Sequence, residues 1–151
     1  MTKAREAGSF AIVARLKAEA ERQAAEALGV AQRRLADEEA RLESVRGLLA
    51  EYQDREHVGG AQLKQLREAR SFLERLRGAV QAQTDAVEQQ RRVTESARAH
   101  WVSAKMQRDA IDRLVEERAA AEGRRLERIE QRQVDDRVAR QEPDLFTGTL
   151  V

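Results

Sequence analysis

His57, His100, the carboxylate doublets Glu116-Glu117 and Asp135-Asp136 and the glycine pair Gly59-Gly60 are residues whose types could do chemistry. His57 and His100 could bind a metal or move a proton, but neither has ligand-type residues spaced around it, and two solvated histidines are the simpler reading. Glu116-Glu117 and Asp135-Asp136 are adjacent carboxylates. On a helix, neighbours point about 100° apart and do not converge on one atom. Gly59-Gly60 lacks the Lys and Ser/Thr of a phosphate-binding loop. The chain has no cysteine, so it has no disulfide framework, thiolate metal site or cysteine nucleophile. The sequence predicts a non-enzymatic protein with no cofactor and no metal, whose function lies in surfaces.

The elements that carry those surfaces are written in heptads. Leu28, Leu35, Leu42 and Leu49 repeat every seven residues, and so do Leu66, Leu73, Val80, Val87, Thr94 and Trp101. Each ladder has companions three residues on: Ala31, Val45 and Tyr52 for the first, and Ala69, Leu76, Ala97, Ala104 and Ile111 for the second. This period belongs to helices that share a packed seam. The two ladders differ in phase by three residues, so one continuous helix would need a slip at Gly59-Gly60. Two glycines inside a helix would also cost about 1 kcal/mol each, whereas a glycine suits the left-handed cap that precedes a reversal. The expected fold is all-α: a long antiparallel two-helix coiled coil.

Composition agrees. Charged residues make up 36% and aromatics 3%, with one proline, which favours long helices and a thin seam over a compact core. The 28 Lys and Arg are interspersed with 27 Asp and Glu. Even the arginine-rich stretch 112–140 balances, so no net basic stripe argues for nucleic acid. No stretch approaches the roughly 20 apolar residues of a membrane span, and the chain is expected to be cytosolic without direct membrane insertion.

Three regions are expected: an N-terminal disordered segment 1–8, a hairpin 9–141 with its turn near 57–60, and a disordered tail 142–151. The first helix starts between Thr2 and Ser9 and ends near Glu56, its early seam formed by Phe10, Val13 and Leu16, then Ala20, Ala24, Ala27 and Ala31. The second runs from Ala61 or Gln62 to about Gln141, before Pro143. Folding about Gly59 sets Leu49 near Ala69, Leu42 near Leu76 and Phe10 near Arg108, so that 111–141 overhangs. Trp101 reads as a seam residue. Phe72, beside Leu73, starts a stripe with Leu76, Ala79 and Gln83 that is either a wide apolar seam or an exposed anchor for a partner.

The ordered run Leu48-Leu49-Ala50-Glu51-Tyr52-Gln53, Phe72-Leu73-Glu74-Arg75-Leu76-Arg77-Gly78-Ala79-Val80, Trp101 with Lys105, Leu114 to Arg118, and Glu130-Gln131-Arg132-Gln133-Val134-Asp135-Asp136 resembles the flagellar FliJ family. The resemblance spans about Phe10 to Gln141. It implies a component of the bacterial flagellar type III export apparatus, similar to the central stalk of rotary ATPases, at the cytoplasmic side of the inner membrane. Implied partners are the hexameric export ATPase, a membrane export gate protein and export chaperones. Carried onto this chain, gate binding falls to Phe72, Leu76, Ala79 and Gln83. The family face can carry histidine where Gln83 stands, and an amide cannot titrate. Contacts with the ATPase ring are expected from Phe10, Val13, Ile111, Leu114 and Arg118. The stalk of a virulence-type injectisome and a plain coiled-coil dimer spacer are the alternative readings.

Overall fold

The computed structural model describes residues 2–56 and 63–141. They form two helices, α1 (Thr2–Glu56) and α2 (Leu63–Gln141), which pack against each other. Among the described residues there is no strand. The turn expected near 57–60 and the tail 142–151 lie outside the described residues. Residues 2–8, expected as a disordered segment, are helical from Thr2, so α1 starts at the early limit of its expected range.

Local chemistry explains why such thin helices form. Arg22 pairs with Glu19 and Glu26, Arg41 with Glu38, Arg108 with Asp112 and Arg125 with Glu122, all at three- or four-residue spacing. The Arg22 hydrogen bond holds the Glu19 carboxyl below its ordinary value, and Glu19 in turn raises Arg22. Apart from Glu38, which is half-buried on the seam, these side chains are exposed, so the pairs support helix locally and do not supply the fold's stability.

The chain divides into two compact units. The first joins Met1–Lys17 to Gln107–Val151, and the second comprises Ala18–Met106. The second unit holds the core: Ala24, Ala31, Leu42, Leu73 and Val87 are buried, with Thr94 the buried polar residue. Tyr52 stands against Phe72, Glu38 against Gln83 and Ala31 against Gln90, so the two strands of this coil run antiparallel. In the first unit Lys17 bonds Gln107 and Phe10 meets Arg118, again antiparallel. No described residue of the first unit is buried.

The heptad phases hold along α1 from 10 to 52 and along α2 from 69 to 111, whereas Leu66, expected as the first rung of the α2 ladder, is 40% exposed. Half-buried and buried positions of α1 follow 10, 17, 24, 31, 38, 45, 52 and 14, 21, 28, 35, 42, 49. Those of α2 follow 73, 80, 87, 94, 101 and 69, 76, 83, 90, 97, 104, 111. Trp101 occupies its seam position, with the Lys105 ammonium 5.4 Å from its ring centroid. Its indole nitrogen is buried without a hydrogen-bond partner among the described residues.

Two expectations fail on register. Leu16, Ala20 and Ala27 are exposed, and Leu16 at 62% is among the most open apolar side chains. Extending the Leu28 and Ala31 phases backwards puts Lys17 and Glu21 inward instead, so phase overrides hydrophobicity at this end. The pairing is also shifted. Tyr52 with Phe72 and Lys17 with Gln107 are both centred on residue 62, three residues past Gly59. Phe10 therefore reaches Arg118 rather than Arg108, and α2 keeps a partner well beyond Ile111.

On α2, three polar residues interrupt the apolar seam of the second unit. Gln83 donates its amide N–H groups to the Glu38 backbone carbonyl, 3.0 Å away, and to the Glu38 carboxylate. Gln90 donates to the Ala31 carbonyl at 3.3 Å. The Thr94 hydroxyl lies 2.9 Å from the Gln90 carbonyl and 3.3 Å from that of Ala31, and its single proton serves one of them at a time. Alanine at 31 leaves the backbone open to approach. A buried polar contact of this kind fixes register at some cost in stability.

Candidate functional site

Two surfaces bring together residues expected to bind partners, one in each unit. In the second unit, Phe72 is 37% exposed, and its ring centroid lies 4.7 Å from that of Tyr52 at a 55° tilt. The Arg55 guanidinium sits 5.5 Å from the Tyr52 centroid on α1. Arg55, Tyr52 and Phe72 thus form one ledge, with Phe72 held by an aromatic contact while part of its ring stays open to solvent. Tilted pairs at this spacing are worth about 0.5–1.5 kcal/mol beyond their buried area.

The expected stripe of four does not lie on one open face. Phe72 and Ala79 are exposed, whereas Leu76 and Gln83 are half-buried on the seam line, with Gln83 tied to Glu38. The reason is phase: positions 69, 76 and 83 belong to the packed ladder, and 72 and 79 precede the other ladder by one. Both alternatives for Phe72 therefore contain part of the geometry, since it flanks the seam and keeps an accessible edge. Tyr52 is the residue the sequence reading missed here. Centring the fold on Gly59 sets Tyr52 opposite Leu66, and only the register centred on 62 puts it against Phe72.

In the first unit, the Arg118 guanidinium lies 3.9 Å from the Phe10 ring centroid, a cation–π contact between α2 and α1. Beside it runs a groove of about 770 Å³, lined by Phe10, Ala7 and Lys3 on α1 and by Val115, Arg118 and Arg125 on α2, among others. Small alanines at 4, 7, 11, 119 and 121 leave this stretch of seam unfilled. Val13 and Ile111 are half-buried nearby in sequence, and Leu114 is 43% exposed. The structure thus joins Phe10 to Arg118 directly. From Asp112 to Gln141 every residue of α2 is exposed, including Leu126, Ile129, Val134 and Val138.

No group of three or more His, Cys, Asp or Glu able to hold a metal occurs among the described residues. No described helix is long and apolar enough to cross a membrane. His57 lies outside the described residues, and His100 is exposed on α2.

These heptad phases, the Tyr52–Phe72 ledge and the Phe10–Arg118 contact fall within a family match: the family described as Flagellar FliJ protein matches residues 6–142. The chain belongs to the FliJ family. Its membership makes it a component of the flagellar export apparatus. The FliJ match covers both the Tyr52–Phe72 ledge and the Phe10–Arg118 contact. No curated protein and no solved structure matches the chain.

Proposed function

We propose that this FliJ-family chain is a coupling stalk of flagellar export, joining the hexameric export ATPase to the membrane export gate and helping to cycle export chaperones. The observation that carries the reading is the family match over residues 6–142, which spans the Tyr52–Phe72 ledge and the Phe10–Arg118 contact. In this reading the chain works in the cytoplasm, peripheral to the inner membrane at the flagellar base, and catalyses nothing itself. A pair of helices is roughly 20 Å across, a width suited to the opening of a hexameric ring.

The division of labour follows from chemistry. The Phe10–Arg118 end, with Val13, Ile111 and Leu114, faces the ATPase ring. Its unfilled groove and open α2 surface leave apolar and cationic groups free for an intermolecular contact. Phe72, Ala79 and Tyr52 face the gate, with Leu76 and Gln83 setting the backbone beneath them.

The ATPase assignment is tested by measuring binding of the full chain to purified export ATPase. Arg118→Glu removes the cation from Phe10 and is expected to weaken binding at least about tenfold, the scale of an interface hot spot. Arg137→Glu, which makes the same charge change further along α2, should leave binding within about twofold. Equal affinity for wild type and Arg118→Glu would remove this end from the ring interface.

A further inference from the structure

A second surface lies on the flank of α2 opposite Phe72. Leu63, Leu66, Arg67, Arg70, Glu74 and Arg77 follow the spacing i, i+3, i+4, i+7, i+11 and i+14, which places them on one helical face. Phe72 is nine residues from Leu63, about 180° around the helix. The leucines are open, Leu63 at 70% and Leu66 at 40%, and the three arginines are exposed.

The facing flank of α1 adds a fourth cation. Arg91, two heptads on from Arg77, pairs with Glu39 across the seam at 3.4 Å. One heptad beyond Glu39 on that same flank is Arg46, also exposed. Against these four arginines stand Glu74 and, on α1, Glu43. None of the four arginines forms an ion pair among the described residues, although Arg22, Arg41, Arg91, Arg108 and Arg125 all do. The chain as a whole is nearly neutral at +1, so this concentration of unpaired cations beside open leucines is local.

We infer that the face formed by Leu63, Leu66, Arg67, Arg70 and Arg77 docks on an anionic lipid surface. A linear stripe without a pocket suits a plane of headgroups. Arginine can extend its guanidinium to phosphate while its methylenes lie beside the leucines, and leucines of this kind enter the boundary between headgroups and acyl chains. The contact is reversible and sensitive to salt, because each cation near such a surface contributes about fivefold to partitioning. It uses the side of α2 away from Phe72 and does not depend on gate binding.

The test is co-sedimentation of the full chain with vesicles of equimolar phosphatidylglycerol and phosphatidylcholine, compared with phosphatidylcholine alone. Wild type should pellet with the anionic vesicles at low salt, lose binding as salt rises, and ignore the neutral ones. The triple variant Arg67→Glu, Arg70→Glu, Arg77→Glu should lower partitioning at least about 100-fold. The control Arg128→Glu, Arg132→Glu, Arg137→Glu, of identical net charge, should retain it, as should Phe72→Ala. Leu63→Ser should weaken binding while keeping its salt dependence. All these positions are exposed, and far-UV circular dichroism checks that the helices persist. Absence of wild-type binding to anionic vesicles would overturn the inference, as would equal binding to neutral vesicles or an equal loss in both triple variants.

Discussion

Val87→Asp is expected to destabilise the coiled coil by about 3–5 kcal/mol, enough to remove most of the stability of a marginal fold. Val87 is 2% exposed, among the most buried side chains of the core. It lies between two polar contacts, Gln83 with Glu38 and Gln90 with Ala31, so the apolar burial of that stretch is concentrated on it. A carboxylate there loses the transfer energy of valine and must be protonated or hydrated inside the seam. Urea unfolding followed by far-UV circular dichroism reads the change as a large fall in midpoint. Leu73→Ala, at a 3% exposed site, should fall by about 2–4 kcal/mol on the cavity scale. An unchanged midpoint for Val87→Asp would mean that the seam is not packed as described.

Phe72→Ala is expected to weaken binding to the export gate by about 30-fold, or about 2 kcal/mol, with little loss of fold. Its ring is partly open, so truncation removes an anchor without opening a cavity in the core. Ala79→Glu should produce a comparable loss, because it places a charge on the same open flank and leaves the seam untouched. Tyr52→Ala should lower gate affinity less, by releasing the Phe72 ring from its 4.7 Å contact. Gln83→Ala should act differently. Gln83 is bonded to Glu38, so its loss should shift the urea midpoint more than it shifts gate affinity. Calorimetric titration of the gate's cytoplasmic portion separates these outcomes. Full affinity in both Phe72→Ala and Ala79→Glu would take this flank out of the gate interface.

The seam phases were legible in the sequence because burial in a two-helix coil depends on one number, the heptad period. Even the polar interruptions left a trace. The companion ladder of α2 runs through Ala69, Leu76, Ala97, Ala104 and Ile111 and skips 83 and 90, the two positions where glutamines bond across to Glu38 and Ala31. Register was not legible. It depends on where the chain reverses, and reading Gly59 as the fold point put Phe10 ten residues short of Arg118. That one error hid the Tyr52–Phe72 ledge and made the unpaired part of α2 too long. The early seam of α1 was misread because Leu16 and the alanines at 20 and 27 look apolar, whereas the phase set downstream turns Lys17 and Glu21 inward.

Bridging is the property that separates a coupling stalk from a passive member of the export apparatus. With the export gate's cytoplasmic portion immobilised, export ATPase should be retained several-fold more in the presence of the wild-type chain than without it. Arg118→Glu and Phe72→Ala should each abolish that gain while their opposite contact persists. ATPase retention that is the same with and without the wild-type chain would contradict the coupling role.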